Sequence, residues 1–377
     1  MSNAHFHAAA YALAASMLVL CLAGCSNDAS RASLPSPSAS ATLSASSTNE
    51  QAGESPGSGA VVPSASLDLI VQGDPVLYSY EDLLSDVEAM AEGYPSWVSS
   101  DSLGVTADGR EILHMVIGNP DATRRILITG GIHAREYMTT QLVMKQAAAF
   151  LEHARTDAAR GATSYRSVLE NTAIHVVPAV NPDGETISQY GLDGMRSQAV
   201  RDKLVSIAAL DGAAPDYEYF RSWKANANGV DLNRQFDALW AEFQGTSHPS
   251  SDRYKGTAPG SEVESRALID LTERERFDRT ISYHTHGSVI YWYFAQTGEL
   301  YDDTLAFAHD ISAATGYPLD ANYEALDPAG YKDWAIQSKG IPSLTIEVGV
   351  APTPVPPEQF PTIWAQNEHV WETTLEM

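Results

Sequence analysis

Cysteine is almost missing from this chain: there are two in 377 residues, Cys21 and Cys25. Both sit near the start, so nothing downstream can be cross-linked by a disulfide, and an exported fold would have to be held by its core alone. The apolar run Ala8 to Gly24 is short for a membrane-spanning helix and has the length of a signal-peptide core. Basic residues are scarce: 23 Lys and Arg stand against 48 Asp and Glu, for a net charge of −25. No basic patch is available to neutralise phosphates, which argues against nucleic acid as a partner. Internal repeats are absent as well.

Two local absences divide the chain. Residues 1–24 contain no Asp, Glu, Lys or Arg and lead into Leu22-Ala23-Gly24-Cys25. Residues 26–66 contain no aromatic side chain and are mainly Ser, Ala, Pro and Gly. Such a stretch cannot bury enough apolar area to offset its ordering entropy, so a flexible tether is expected. The Leu-Ala-Gly-Cys ending resembles a bacterial lipobox, in which the cysteine becomes the lipid-bearing first residue. It departs from one in having His5 and His7 but no Lys or Arg before the apolar run, and an ordinary signal peptide or an uncleaved anchor is the alternative. The expected organisation is a signal peptide over 1–24, lipidated Cys25 and a tether over 25–66, and a folded domain over 67–377. The protein would then be an exported lipoprotein, attached to the membrane through its lipid only and facing the cell wall or periplasm.

In the folded part an amphipathic helix is expected over Tyr78–Tyr94, with Leu83, Leu84, Val87 and Met90 on one face. Two strand patterns follow, Val98–Val105 and Glu111–Ile117, around the hairpin signal Asp108-Gly109. Further strands are expected at Arg125–Thr129, Ala173–Val180, Arg279–His284 and Ser343–Val348. Helices are expected over Met138–Glu152, Ser261–Glu275 and Tyr301–Thr315. Asn181-Pro182-Asp183-Gly184 reads as a turn, and residues 185–220 as a polar, irregular insertion. Alternation of strands and helices predicts an α/β domain with a mostly parallel or mixed sheet.

The chemistry gathers after the strand Arg125–Thr129. Gly130-Gly131-Ile132-His133-Ala134-Arg135-Glu136 places His133 and Glu136 three residues apart, where open α/β sheets bind ligands. An imidazole and a carboxylate there can share a zinc ion, but a catalytic zinc needs a third protein ligand. His284, at the end of its own strand, is a candidate, and His286 two residues on leaves the choice open. Glu347, a carboxylate in the apolar strand Ser343–Val348, is costly to bury unless paired or functional. Asn233 and Arg234 in the loop that begins at Trp223 make a ready carboxylate clamp. A surface loop in which Arg234 merely pairs with an acid is the plainer reading.

Taken together, His-x-x-Glu, Asn-Pro-Asp-Gly, Gly229-Val230-Asp231-Leu232-Asn233-Arg234, the strand-end His284 and the late Glu347 resemble the carboxypeptidase A-like zinc metallocarboxypeptidases, in that family's order. The resemblance implies a central mixed, mostly parallel eight-stranded sheet flanked by helices. It implies one zinc ion held by His133, Glu136 and His284, with Glu347 as the base that activates water and then protonates the leaving amine. It further implies that Asp231 orients His133, that Asn233 and Arg234 bind a terminal carboxylate, and that Arg135 contacts the substrate. Lys224 stands where digestive members carry an oxyanion-stabilising arginine, which puts that contact in doubt because lysine has no bidentate fork. Tyr323 is the nearest match for the family's mobile tyrosine, in a loose alignment. Lys332, in Gly330-Tyr331-Lys332-Asp333-Trp334, falls at the specificity position and suits a substrate with an extra carboxylate; an exposed loop lysine is the alternative.

Tyr254-Lys255-Gly256, Val289-Ile290-Tyr291-Trp292-Tyr293 and the phrases around Trp223 and Lys332 resemble the bacterial γ-D-glutamyl-diamino-acid peptidases. The expected activity is therefore cleavage of peptidoglycan stem peptides at the bond from γ-D-Glu to the diamino acid, by a monomer. The alternative is a general secreted carboxypeptidase that trims L-peptides.

Overall fold

The computed structural model describes Pro63, residues 65–320 and residues 326–377. The expected signal peptide, Cys25, most of the tether and Tyr323 lie outside the described residues.

Eight strands form one mixed sheet: β1 (Val98–Val105), β2 (Glu111–Gly118), β3 (Arg124–Thr129), β4 (Thr172–Val177), β5 (Arg279–Thr285), β6 (Val289–Tyr291), β7 (Leu319–Asp320) and β8 (Ser343–Val348). Their order is β1-β2-β4-β3-β5-β8-β6-β7. The central run β4-β3-β5-β8 is parallel, as is β6 with β7, while β1-β2, β2-β4 and β8-β6 are antiparallel. The mixed, mostly parallel sheet expected from the sequence is the one observed. Because β3, β5 and β8 run the same way, their carboxyl ends share one edge, and side chains leaving those ends can converge.

Side-chain alternation decides what lies on each face. On β8, Leu344, Ile346 and Val348 enter one core together with Ile126, Ile128, Ile281 and Tyr283. That core is closed by α1 (Tyr80–Gly93), α2 (Met138–Arg155), α3 (Tyr165–Asn171) and α8 (Glu299–Thr315), along with the short C-terminal helices α10 (Phe360–Asn367) and α11 (Val370–Thr374). The opposite face is partly polar. Leu127 and Val177 pack there on α7 (Val263–Glu275) and α9 (Tyr331–Lys339). Thr129 meets Ser282 at 3.1 Å and Thr280 meets Ser343 at 2.5 Å in hydroxyl contacts across strands. His284 and Glu347 belong to this second set by the same period of two, two and four residues on from Ser282 and Ser343 respectively.

Local chemistry sets the elements. Ser79 caps α1 and Asp82 completes a capping box, while Tyr80, Leu83, Val87 and Met90 bury at helical spacing. Gly109 takes φ 81° in the β1–β2 turn, a conformation costly for a side-chain-bearing residue.

Residues 185–220 correct the expectation of irregular structure: they are largely helical. Asn181-Pro182-Asp183-Gly184 opens α4 (Pro182–Tyr190) instead of making a free turn, with Asn181 as N-cap and Pro182 in the first turn. Two more helices follow, α5 (Gln198–Leu210) and α6 (Tyr217–Arg221). They bury Ile187, Val200, Leu204, Ile207 and Phe220 around Trp223 in a third core. Asp183 is fixed beneath: Arg110 donates to Asp183 and to Asp108 at 3.0 and 2.7 Å, all three side chains buried. The β4 strand also ends at Val177, before the expected Val180, because Val180 and Asn181 turn their N–H groups to the carbonyls of Gly130 and Gly131.

The segment that carries Lys224 and Asp231 is tied to α7 through Asn226. Its amide donates to Glu262 at 2.9 Å and to the buried Glu264 at 3.3 Å. Burial, reinforced by the Glu262 carboxylate, pushes the Glu264 carboxyl from 4.5 up to about 8. Folding therefore takes up a proton between those values, so this group's contribution to stability is full below pH 4.5 and is lost as pH rises to 8. Glu264→Gln should match the wild type in urea midpoint near pH ~5 and exceed it near pH ~8. A difference that does not change with pH would mean the carboxyl is ionised in the fold.

Candidate active site

Two glycines let the chain leave β3 sharply. Gly131 has φ 61°, and a Cβ there would stand 2.0 Å from the Glu185 carboxylate. Its N–H donates to Thr139 on α2 at 2.8 Å. His133 then precedes a single 3-10 turn, Ala134–Glu136, that brings the Glu136 carboxylate back beneath its imidazole. Across from them His284 projects from β5, one strand over from β3 and in register with Glu347 on β8.

His133, Glu136 and His284 are buried and converge on one point. His133 Nδ1 lies 2.9 Å from Glu136 Oε1 and 3.1 Å from His284 Nδ1, which in turn lies 3.0 Å from Glu136 Oε2. The Thr285 N–H also donates to Oε2 at 3.1 Å. His286 is exposed, so the choice left open between the two histidines falls on His284. Burial alone would raise the Glu136 carboxyl, but the facing imidazoles outweigh it and hold it well below the usual range.

The far nitrogen of His133, Nε2, stands 3.3 Å from the buried Asp231 Oδ1. A proton on Nε2 facing that carboxylate leaves Nδ1 as a bare lone pair directed at another carboxylate. Such an arrangement is repulsive unless a cation fills the space, and a carboxylate behind a histidine is the usual support of a metal-bound imidazole. Two nitrogens and a carboxylate are a donor set that suits zinc. The residues present therefore fit the ion.

Lys224 stands between two carboxylates. Its Nζ lies 3.7 Å from Asp231 Oδ2 and 3.6 Å from Asp252 Oδ1. Burial would lower its pKa, yet those two carboxylates and Glu136 raise it, so the side chain is firmly cationic. Arg135 is half-buried and donates to the Ser222 carbonyl at 3.2 Å. Glu347 is half-buried, and its Oε2 has no hydrogen-bond partner among the described residues. Burial, with Glu136 nearby, pushes its carboxyl up to about 7, against the pull of His284, Lys224 and Arg135.

Glu347 opens onto a pocket of about 320 Å³ that also contains Asn233, Arg234, Tyr291, Lys332 and Asp333. Lys332 is thus a buried pocket residue and not an exposed loop lysine. Its Nζ donates to Asp333 at 2.5 Å and to the Tyr293 carbonyl at 3.1 Å. Asn233 Oδ1 accepts from the Tyr331 N–H at 2.9 Å, which docks the start of α9 beside the clamp.

Asn181 was legible in the sequence only as a turn residue. Its side chain accepts from Gly184 N at 3.0 Å and donates to the carbonyls of Ile132 and Ala225 at 3.3 and 3.1 Å. It thereby joins the His133 loop, α4 and the Lys224 segment.

Residues 83–370 match the zinc carboxypeptidase family, and the chain belongs to it. Among curated relatives, γ-D-glutamyl-L-diamino acid endopeptidase 1 of Lysinibacillus sphaericus is 31% identical over 293 residues, 77% of this chain and 70% of that protein. Carboxypeptidase B of Astacus astacus is 27% identical over 286 residues, 72% of this chain and 86% of that protein. Of solved structures, bovine thrombin-activatable fibrinolysis inhibitor in complex with tick carboxypeptidase inhibitor superposes with a TM-score of 0.63 at 19% identity. That match covers 80% of this chain and 97% of that one. This last likeness shows the fold. The chain is a zinc metallopeptidase.

Asn181→Ala should leave two buried carbonyls unpaired and uncap α4, a loss of about 1–3 kcal/mol. Urea denaturation measures it; an unchanged midpoint would mean the three segments hold together without this side chain.

Proposed function

We propose that this zinc peptidase hydrolyses the amide bond from the γ-carboxyl of D-glutamate to a diamino acid in peptidoglycan stem peptides. The observation that carries the reading is a pocket lined by Glu347, beside the buried His133–Glu136–His284 set, that holds two cations, Arg234 and Lys332, each paired with a carboxylate of its own, Asp327 and Asp333. A stem peptide has surplus carboxylates on either side of this bond, which can exchange with the pocket's own carboxylates on these two cations. The 31% identity to a γ-D-glutamyl-L-diamino acid endopeptidase supports the same substrate class.

His133, Glu136 and His284 would hold the zinc, and Asp231 would keep the His133 imidazole oriented. Zinc, when bound, supplies Lewis acidity toward the scissile carbonyl and makes water more acidic. Glu347 then acts as general base: its unpaired Oε2 takes a proton as water adds to the carbonyl carbon, and delivers it to the amine as the C–N bond breaks. A carboxyl pushed up to about 7 by burial is suited to both halves of that transfer near neutral pH. Lys224, held by Asp231 and Asp252, adds fixed positive charge to the site but no bidentate contact. Arg234 and Lys332 would orient the residue beyond the scissile bond. We further propose that the protein is exported and works at the cell wall, in keeping with the uncharged apolar residues 1–24, Cys25 and the aromatic-free stretch after it.

The test is to incubate the purified protein with L-Ala-γ-D-Glu-meso-diaminopimelate and, in parallel, with an ordinary L-peptide, each with and without a chelator. Chelator-sensitive cutting of the γ-D-glutamyl bond, read by mass, is the expected result. Release only of C-terminal L-residues would assign the general carboxypeptidase instead.

Glu347→Gln should keep its zinc, measured by elemental analysis, and lose about 10²–10⁴-fold in kcat. Near-wild-type turnover would remove Glu347 from the mechanism.

A further inference from the structure

The cation expected to receive a substrate's terminal carboxylate is already occupied. Arg234 Nη2 donates to Asp327 Oδ2 at 2.5 Å, and Nη1 donates to the Asn233 carbonyl at 2.9 Å. The guanidinium lies 4.8 Å over the Phe243 ring and is buried, whereas the Asp327 side chain is 70% exposed. Lys332 is matched in the same way by Asp333. Each cation of the pocket therefore arrives with its own carboxylate.

The stretch that follows Asp327 is anchored. Pro328 restricts the backbone next to it. Ala329 is fully buried with φ 73°, an unfavourable region for alanine, and is pinned by main-chain bonds to Phe236 and Ala238 at 3.2 and 2.9 Å. Gly330 then donates to Asp333 at 3.0 Å. The chain accepts a strained residue and two anchoring bonds where it presents Asp327 to Arg234.

A substrate that ends just beyond the scissile bond must displace the Asp327 carboxylate to reach the guanidinium. One whose chain continues offers a neutral amide there and has nothing to displace. We propose that Asp327 is a specificity-determining residue: it stands in for the substrate's terminal carboxylate on Arg234 and turns the site from carboxypeptidase action towards internal bonds. The proposal rests on the reading that this pocket receives the residue beyond the scissile bond.

The test compares two peptides, L-Ala-γ-D-Glu-meso-diaminopimelate with its terminal α-carboxylate free and the same peptide with that group amidated. Asp327→Asn should lower KM for the free carboxylate about tenfold, with kcat and both constants for the amide within about twofold. Asp320→Asn, on the same pocket but without a contact to Arg234, serves as the charge control and should move both peptides alike. No change in KM for Asp327→Asn, or an equal fall for both peptides, would overturn the proposal. If the wild type cuts neither peptide, the proposed function falls, and the clamp is judged by calorimetry with N-acetylglycine and N-acetylglycinamide. Tighter binding of the acid alone by Asp327→Asn, by about tenfold, upholds it; equal affinities of wild type and variant for the acid sink it.

Discussion

Two imidazole nitrogens and a carboxylate, all buried, face one another at about hydrogen-bond distance above the carboxyl ends of β3 and β5. Leaving water is costly for each of these groups, and their lone pairs oppose one another unless a cation lies between them. Much of the rest of the structure serves this meeting. Parallel pairing of β3, β5 and β8 brings the strand ends to one edge and sets Glu347 level with His284. Gly130 and Gly131 turn the chain back so that His133 and Glu136 can join them, and Asn181 and Asp231 hold the result from behind.

Charge is arranged around that point with little left over. Lys224 is shared by two aspartates, Lys332 is matched by Asp333 and Arg234 by Asp327. Glu347 is the unpaired acid among them: its Oε2 is buried without a hydrogen-bond partner among the described residues, and burial pushes its carboxyl up to about 7. An unpaired acid among paired ones is where proton transfer is least hindered. The same pairing bears on what the enzyme cuts, because a clamp already neutralised has less to offer a terminal carboxylate.

Much of this was legible in the amino-acid order, for identifiable reasons. The strand before Gly130-Gly131 carries the apolar run Ile126-Leu127-Ile128 and stops at two glycines, so the position of His133 and Glu136 followed from it. Glu347 stands out in the sequence as a costly carboxylate in an apolar strand; the strand in fact alternates polar and apolar residues, and Glu347 leaves the face that Leu344 and Ile346 bury. Residues 185–220 were misread because Asn-Pro-Asp-Gly carries the chemistry of a turn, and the same residues suit a helix start: Asn caps and Pro fits the first turn. Strands β6 and β7 span three and two residues, too few for a period to show. The partnership of Arg234 with Asp327 joins residues 93 apart in the chain and has no local signature.

The most direct measurement of the central claim is anomalous diffraction at the zinc absorption edge from crystals of the protein. The account predicts one strong peak, bonded to the Nδ1 atoms of His133 and His284 and to the Glu136 carboxylate at roughly 2.0–2.2 Å. Zinc bound elsewhere, or held through His286 or the Nε2 atoms, would contradict it.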